Sequence, residues 1–288
     1  MARGILIANP AAGRKDKRAV VDTLLRMAHE SGLSLTLELT QYAGHAGVLA
    51  RQAREENLDA VAVFGGDGSI REAGESLIHS YIPLYILPAG TSNVLARSLQ
   101  IPLNPLKAAS IFREGNIVNL DGGTANHHTF FFMCGAGIDA NIMAAAHIPA
   151  KKLLGRASFY PAVLREFFTY DFPLLHVDVD GETFSGSYIA VTNIPHFAGP
   201  YRLCPPARYD DGLLDVVIFK GRRRRDFLSY FWRIKKGDLL DRPDVVHRKG
   251  RNLRISSESQ VRYQLDGDTM GEVPVEIRVI PGALKVVR

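Results

Sequence analysis

Residues 60–69 have the sequence AVAVFGGDGS, and this stretch decides the fold. Its first five residues are small or β-branched and apolar, which is typical of a strand buried on both faces. Three glycines and an aspartate follow at once, and a helical pattern starts behind them. These glycines allow positive φ angles and the close approach of a ligand to the main chain. With the N–H groups and positive dipole end of the next helix, they predict an anion site.

The aspartate inside this turn, Asp67, is an unusual choice for a site that binds a bare phosphate, because its charge would repel the ligand. It suits a site where a divalent cation bridges carboxylate and phosphate oxygens. The alternative is a tight turn in which Asp-Gly merely fits the backbone geometry. The stretch by itself leaves both interpretations open.

The same order of strand, loop and helix recurs through the first half of the chain. Residues 4–8, 33–39, 60–64 and 83–87 are predicted strands, each followed by a polar or glycine-containing loop and a helical pattern. This rhythm predicts a parallel sheet with helices on both faces. Ligands of such sheets bind at the carboxyl ends of the strands, where all of these loops fall.

The second half has a different pattern. After residues 121–123 most segments have strand character, and Asp-Gly pairs at 180, 211 and 266 act as turn signals. A helical insertion is predicted over residues 153–170. The predicted strands are residues 129–133, 174–180, 183–193, 213–220, 253–256, 261–265 and 273–280. We therefore expect a largely antiparallel β domain here.

Composition narrows the class of protein further. The 288 residues are 46% hydrophobic and 23% charged, as in ordinary globular proteins, and the net charge of +5 allows an anionic partner. Cys134 and Cys204 cannot form a disulfide framework and are expected to be buried thiols in a reducing compartment. The apolar run at the N-terminus is too short for a signal peptide, and no apolar stretch is long enough to span a membrane. A cytoplasmic protein is therefore expected.

A basic, aromatic segment stands at residues 222–236. Four arginines precede a helical pattern in which Phe227, Phe231 and Ile234 share one face, and Trp232 is the only tryptophan of the chain. An interfacial membrane helix would have this composition. A core-packing helix with a solvated charged side is the alternative. No recognised nucleic-acid motif accompanies the arginines, so nucleic acid is not expected as a partner.

Four motifs occur in order: Asn9-Pro10-x-x-Gly13, the glycine turn at 65–69, Pro88-x-Gly-Thr-x-Asn93 and Gln264-x-Asp-Gly-Asp268. Together they resemble the soluble diacylglycerol kinase and sphingosine kinase family of lipid kinases. The resemblance implies an N-terminal parallel α/β domain of the NAD kinase and diacylglycerol kinase type, a C-terminal antiparallel β-sandwich, and an active site in the cleft between them. The implied boundaries are 1–121, completed by 282–288, and 122–281.

The same resemblance implies ATP and Mg²⁺ as cofactors and assigns residues to them. Asp67 would help to hold the metal–nucleotide, and Asp266 or Asp268 would serve as general base, with Asp268 slightly favoured. Carbonyls of Arg208 and Leu213 and the carboxylate of Asp211 match a structural Mg²⁺ site of some bacterial members. The implied ATP contacts are Asn9, Pro10, Ala11, Ala12, Gly13, Thr40, Gly65, Gly66, Asp67, Gly68, Ser69, Ile70, Arg71 and Thr91.

Three positions depart from the family pattern. Val94 stands where many diacylglycerol kinases have aspartate, Arg71 where asparagine is usual, and Asp268 where glutamate is typical. Sphingosine-kinase-like members also carry an apolar residue at the position of Val94. The departures put the identity of the lipid in doubt more than the chemistry.

The expected function is therefore phosphoryl transfer from ATP to the hydroxyl of a diacylglycerol-like lipid, reached at the inner membrane face. Diacylglycerol, a sphingoid base, ceramide and phosphatidylglycerol all remain candidate acceptors. A kinase of a soluble metabolite, similar to NAD kinases, and a non-catalytic nucleotide- or lipid-binding regulator are the alternatives. A homodimer is compatible with the sequence, which leaves the oligomeric state open.

Overall fold

The computed structural model describes residues 1–10, 18–145 and 160–288. Ala11, Ala12 and Gly13 of the predicted nucleotide loop, and residues 153–159 of the predicted helical insertion, lie outside the described residues. The chain forms two compact units. The first unit is Met1–Leu120, Ala198–Pro200 and Gly282–Arg288, and the second is Asp121–Phe197 and Tyr201–Pro281.

The first unit alternates strands and helices, as the sequence predicts. Its described elements are β1 (Ala2–Ala8), α1 (Arg18–Glu30), β2 (Leu33–Leu39), α2 (His45–Glu55), β3 (Ala60–Gly65), α3 (Asp67–Ser76), β4 (Leu84–Pro88), α4 (Val94–Ser98), α5 (Pro105–Ala108) and α6 (Ile111–Glu114). The α2 helix packs on α3, while α1 packs on α5 and α6. Every residue of β3 is buried, which accounts for its unbroken apolar run.

The strands of the first unit are parallel and lie in the order β2-β1-β3-β4. In this register Leu6 lies between Leu37 and Ala62, so all four carboxyl ends meet at one edge. The last strand of the chain, β18, adds to β4 in parallel, with Val286 opposite Leu84. The predicted parallel α/β architecture is confirmed.

The second unit is built from two sheets. Its described elements are β5 (Ile117–Ala125), β6 (His128–Phe130), β7 (Met133–Ala136), α7 (Ile138–Ala145), α8 (Tyr160–Thr169), β8 (Leu175–Val179), β9 (Glu182–Gly186), β10 (Tyr188–Thr192), β11 (His196–Phe197), β12 (Tyr201–Arg202), β13 (Leu214–Phe219), α9 (Arg224–Lys236), a 3₁₀ turn (Leu239–Asp241), β14 (Val245–Gly250), β15 (Asn252–Ser256), β16 (Arg262–Leu265), β17 (Asp268–Glu272) and β18 (Val275–Val287), with β5 and β18 beginning or ending in the first unit.

Antiparallel pairing dominates both sheets of the second unit. One has the order β14-β13-β10-β7-β16-β17, and the other contains β18-β15-β8-β9. Apolar side chains of both sheets form a common buried core that includes Phe130, Ile189, Val216, Ile255 and Ile277. The predicted antiparallel β-sandwich is confirmed.

The strand boundaries of this unit differ from the sequence prediction at two places. The predicted strand 183–193 is two strands, because the chain passes from one sheet to the other at Ser187. The predicted strand 129–133 ends at Phe130 and a new strand begins at Met133. The prediction also missed α7, the hairpin β11–β12 and strands β14 and β17.

A close backbone approach in the first unit leads to a stability prediction. A Cβ atom on Gly90 would lie 2.6 Å from the Cα of Gly66 and 2.8 Å from Oδ1 of Asn93, whereas one on Gly68 would meet open space. We expect Gly90→Ala to lower the free energy of unfolding by about 1–3 kcal/mol. Gly68→Ala, in the helix α3, should leave it equal or raise it by up to ~1 kcal/mol. Urea unfolding of both variants measures the difference, and equal stabilities would contradict it.

Candidate active site

The loops at the carboxyl edge of the first unit are joined to one another by hydrogen bonds. The backbone N–H of Asn9 donates to the carbonyl of Phe64 at 3.1 Å, and its side-chain Nδ2 donates to Oγ of Ser69 at 3.0 Å. The N–H of Thr40 donates to the carbonyl of Ala8 at 3.0 Å. The structure thus brings the predicted residues after β1, β2 and β3 together along one edge.

The glycines of the central turn act by close approach and not by unusual backbone angles. None of Gly65, Gly66 and Gly68 has a positive φ, so that part of the sequence prediction is wrong. A Cβ on Gly65 would lie 2.9 Å from the Cβ of Ser69, and a Cβ on Gly66 would lie 3.3 Å from the Cα of Gly90. The glycines therefore let the loops after β3 and β4 pack backbone to backbone, with a further bond from the N–H of Ala89 to the carbonyl of Gly65.

Asp67 is the first residue of α3 and ties this helix to α4. Its Oδ1 accepts hydrogen bonds from the N–H of Val94 at 2.7 Å and of Leu95 at 3.4 Å. The carboxylate thus caps α4, whose own N-cap residue, Asn93, makes no side-chain cap. Burial raises the pKa of Asp67, and backbone N–H groups of Leu95, Val94 and Asn93 oppose that rise.

The donor set at Asp67 fits a divalent cation. The hydrogen bonds from Val94 and Leu95 end on Oδ1, and a carboxylate has a second oxygen, Oδ2, that can coordinate a metal. The first N–H groups of α3 have no partner within the helix and lie at its positive end. Carboxylate oxygen and phosphate oxygen are the ligands that Mg²⁺ takes in nucleotide sites.

Two predicted nucleotide contacts have other roles in the structure. The side chain of Ile70 is fully buried and its N–H donates to the carbonyl of Gly66, so it presents no polar group to a ligand. Arg71 pairs with Glu75 one turn along α3, at 3.1 Å. Thr91 lies exposed in the loop before α4.

In the second unit, Asp266 and Gly267 form the predicted hairpin turn between β16 and β17. Both have positive φ, 50° and 95°, as a two-residue type I′ turn requires. The two oxygens of Asp266 accept the backbone N–H groups of Phe131, Phe132 and Met133, each at 2.9 Å. These bonds stabilise the ionised carboxylate and anchor the turn, and they explain why residues 131–132 leave the strand.

Asp268 differs from Asp266 in its surroundings. It is the first residue of β17, lies opposite Leu265, and its side chain is exposed. Asp268 thus exposes its side chain beside this turn, whereas both oxygens of Asp266 accept backbone N–H groups. The two acids therefore differ in their surroundings, and the sequence by itself favoured Asp268 only slightly.

A buried carboxyl group that the sequence analysis missed supports this hairpin. The N–H of Gly267 donates to Oε1 of Gln264 at 2.7 Å, and Nε2 of Gln264 donates to Oδ2 of Asp139 at 3.0 Å. Tyr188 donates its hydroxyl to the same oxygen at 3.0 Å. Burial raises the pKa of Asp139 to about 6, although these hydrogen bonds oppose the shift. The available signal was an aspartate among the small and apolar residues that begin α7.

The predicted structural metal residues do not form an open cation site. Oδ2 of Asp211 accepts a hydrogen bond from Nζ of Lys249 at 2.6 Å, and Oδ1 accepts the N–H of Leu213 at 3.2 Å. Arg208 is exposed and pairs with Asp210 at 3.3 Å. Burial alone would lower the pKa of Lys249, but the bond to Asp211 and the nearby acids raise it overall. A metal at the Asp211 carboxylate would face this ammonium.

The helix α9 presents an apolar surface bordered by basic residues. Phe227 and Ile234 pack around the buried Tyr230, whereas Leu228, Phe231 and Trp232 are 51%, 48% and 59% exposed. Of the three residues predicted to share one face of this helix, Phe227 and Ile234 pack against the core and Phe231 is largely exposed. Neighbouring α8 adds exposed Val163, Leu164 and Phe168, and Arg224 joins the helices by donating to the carbonyls of Phe167 and Phe168. Over the described ranges no helix is long and apolar enough to cross a bilayer.

Comparison with known proteins identifies the class. The family described as the YegS C-terminal NAD kinase beta sandwich-like domain matches residues 133–288, more than half of the chain. The family described as the diacylglycerol kinase catalytic domain matches residues 3–125. The chain belongs to the bacterial diacylglycerol kinase-like family of lipid kinases.

Individual relatives agree with this assignment over almost the whole chain. A diacylglycerol kinase of Staphylococcus carnosus (strain TM300) is 27% identical over 94% of this chain and 90% of its own length. One from Staphylococcus aureus (strain bovine RF122 / ET3-1) is 26% identical over 94% and 88%. A crystal structure of a diacylglycerol kinase from Bacillus anthracis str. Sterne has the same fold, with a TM-score of 0.81 at 24% identity over 99% of this chain and 96% of that one.

The raised pKa of Asp139 predicts a pH dependence of stability. The native state binds this proton up to about pH 6, while the unfolded chain releases it near pH 3.8, so the group's stabilising contribution is lost as pH rises between these values. The change amounts to on the order of 3 kcal/mol. In Asp139→Asn this slope should disappear. The exposed Asp22→Asn, on α1, is the control, and parallel wild-type and Asp139→Asn profiles from urea unfolding between pH 4 and 7 would contradict the assignment.

Proposed function

We propose that this protein transfers the γ-phosphate of ATP to the hydroxyl group of a diacylglycerol-like lipid, with Mg²⁺ bound beside the nucleotide. Membership of the lipid kinase family supports the reaction class. The observation that carries the proposal is the edge of the first unit, where Asn9, Ser69 and Asp67 converge from neighbouring loops. Backbone N–H groups, a helix N-terminus and one carboxylate are what a metal–triphosphate requires.

The first unit would bind and orient the nucleotide. The N–H groups at the start of α3 would donate to phosphate oxygens, and Asn9 would hold Ser69 in place through the 3.0 Å bond between their side chains. Mg²⁺ held by Oδ2 of Asp67 would neutralise charge that develops on the transferred phosphoryl group. Because Asp67 also caps α4, the loop after β4 would be fixed at the same point.

The second unit would supply the base. The lipid hydroxyl oxygen forms a bond to the γ-phosphorus, the bond from that phosphorus to the β-phosphate oxygen breaks, and the hydroxyl proton passes to the carboxylate of Asp268. ADP is the leaving group. Asp268 suits this role because its side chain is exposed, whereas both oxygens of Asp266 accept backbone N–H groups.

The departures from the family pattern are compatible with catalysis. Val94 offers its backbone N–H to Asp67, and any side chain at this position could do so. Arg71 turns along α3 toward Glu75. The Asp67 contacts suit a kinase and a nucleotide-binding regulator alike, whereas the exposed apolar surface of α8 and α9 favours a lipid over a soluble acceptor.

Radiolabelled ATP with a panel of acceptors tests the proposal. Diacylglycerol, a sphingoid base, ceramide, phosphatidylglycerol and NAD are each offered in mixed micelles or buffer, with Mg²⁺ or with EDTA. Label on diacylglycerol that requires Mg²⁺ and is lost in Asp67→Ala is the expected result. Label on NAD alone would establish the soluble-metabolite alternative, and label on no acceptor despite nucleotide binding would establish a regulator.

Mutation of Asp268 should lower activity, whereas mutation of Asp266 should lower stability. Asp268→Asn is expected to reduce kcat by at least about 100-fold with an unchanged Tm, because a general base contributes about 10²–10⁴ and this side chain is exposed. Asp266→Asn is expected to lower the free energy of unfolding by about 1–3 kcal/mol, because backbone N–H groups lose charged acceptors. Glu272→Gln, on the same strand as Asp268, is the control. Full activity of Asp268→Asn would exclude it as the base.

We propose further that α8 and α9 dock the enzyme reversibly on an anionic membrane surface. The exposed Leu228, Phe231 and Trp232 would enter the interface, while Arg223 and Arg225 would contact lipid headgroups. Each basic residue near such a surface contributes about 1 kcal/mol. Arg222 and Arg224 already donate to the carbonyls of Phe172, Phe167 and Phe168, so they would shape the surface as well as charge it.

Vesicle co-sedimentation measures this docking. The wild-type protein should bind vesicles that contain phosphatidylglycerol more tightly than vesicles of phosphatidylcholine alone, and added salt should weaken the binding. Arg223→Glu with Arg225→Glu should reduce binding at least roughly tenfold, since two charges are reversed. The exposed Arg113→Glu of α6, in the first unit, is the control. Binding that ignores both lipid charge and the double reversal would contradict the docking surface.

A further inference from the structure

Lys249 lies beside the loop that the sequence assigned to a structural cation. It stands near the end of β14, and its Cα partner on the neighbouring strand β13 is Asp215. This register directs Lys249 toward two carboxylates. Its Nζ lies 2.6 Å from Oδ2 of Asp211 and 3.8 Å from Oδ2 of Asp215.

We propose that in this chain the ammonium of Lys249 takes the place of a structural divalent cation, so that the second unit is stable without bound metal. The proposal concerns the folding of this unit and is independent of the proposed kinase activity.

The carboxylates around Lys249 need a positive charge. Asp215 is fully buried, and an isolated ionised carboxylate in that position would be strongly unfavourable. Its Oδ1 contacts Nε2 of His247 at 2.6 Å, while its Oδ2 makes no hydrogen bond within the described residues. The ammonium of Lys249, shared with Asp211, is the permanent cation next to that oxygen.

The same arrangement leaves no suitable position for a divalent ion at Asp211. Both of its oxygens accept hydrogen bonds, one from Leu213 and one from Lys249. A Mg²⁺ bound to Oδ2 at about 2.1 Å would lie within a few ångströms of the ammonium, and two like charges would meet in a partly buried site. The loop is already held without a metal, because Oδ2 of the buried Asp121 accepts the N–H of Gly212 at 2.7 Å.

Thermal unfolding of the nucleotide-free, full-length protein tests the proposal. Tm is measured in excess EDTA and in millimolar MgCl₂ for the wild type, Lys249→Met, Lys249→Arg and the double variant Lys249→Met/Asp211→Asn. Lys107→Met, an exposed lysine of α5, is the matched control. Methionine keeps most of the length of lysine and removes the ammonium, with its charge and its hydrogen bond to Asp211.

For the wild type, for Lys249→Arg and for Lys107→Met, the Tm measured in EDTA should equal the Tm measured in MgCl₂. Lys249→Met should unfold roughly 2–8 °C lower in EDTA, and MgCl₂ should restore part of that loss because the emptied pair of acids then accepts a cation. The double variant should lose this restoration. Restoration that depends on Asp211 would show that the ammonium and the metal compete for one place.

Two results would overturn the proposal. One is a wild-type Tm that falls in EDTA when the Tm of Asp211→Asn does not, since a metal would then be bound at this carboxylate. The other is a Lys249→Met protein that MgCl₂ does not restore, since Lys249 would then be an ordinary ion pair. If Lys249→Met does not fold, the metal content of dialysed wild type and Asp211→Asn decides: equal content supports the proposal, and an ion retained only by the wild type refutes it.

Discussion

The contact on which the candidate site depends is the hydrogen bond from the backbone of Val94 to the carboxylate of Asp67. It joins the start of α3 to the start of α4 at 2.7 Å, and it is possible only because Gly66 and Gly90 let the two loops pack without side chains between them. One carboxylate thus has two tasks. Its Oδ1 completes the N-terminus of α4, and in the proposed function its Oδ2 would hold the metal of the nucleotide, so the same hydrogen bonds would orient the ligand oxygen.

A comparable division of tasks occurs in the second unit, but there it is spread over two acids. Asp266 accepts three backbone N–H groups from residues 131–133 and so anchors the turn. The next acid, Asp268, is exposed at the start of β17, directly after this anchored turn. Gln264 and Asp139 extend that support inward to Tyr188. An exposed reactive group on a rigid base is the general condition for precise positioning.

The parts of this structure that could be predicted from sequence are those with local signals. Apolar runs that end in polar or glycine-containing loops predict the four parallel strands. The Asp-Gly dipeptide predicts the turn at Asp266 and Gly267. The change of sheet at Ser187 was missed, although Ser185-Gly186-Ser187 interrupts the apolar residues of this segment and was the available signal. The Asp139–Gln264 pair spans 125 positions of sequence, and the Asp211–Lys249 pair spans 38, so no local pattern reveals either contact. The φ angles of the glycine turn were mispredicted because glycine can serve either a positive φ angle or a close approach of two backbones. In this turn the glycines serve the close approach.

The pairing of β4 with the end of β18 has a consequence for biosynthesis. The strands of the first unit up to β4 leave the ribosome early, yet the neighbour of β4 on its open side is supplied by residues near Val286. At typical translation rates about ten to forty seconds separate the two events. During that interval a nascent chain exposes an unpaired strand edge rich in apolar residues, which is a template for unwanted association. Chaperone protection of the growing polypeptide would matter most in this window.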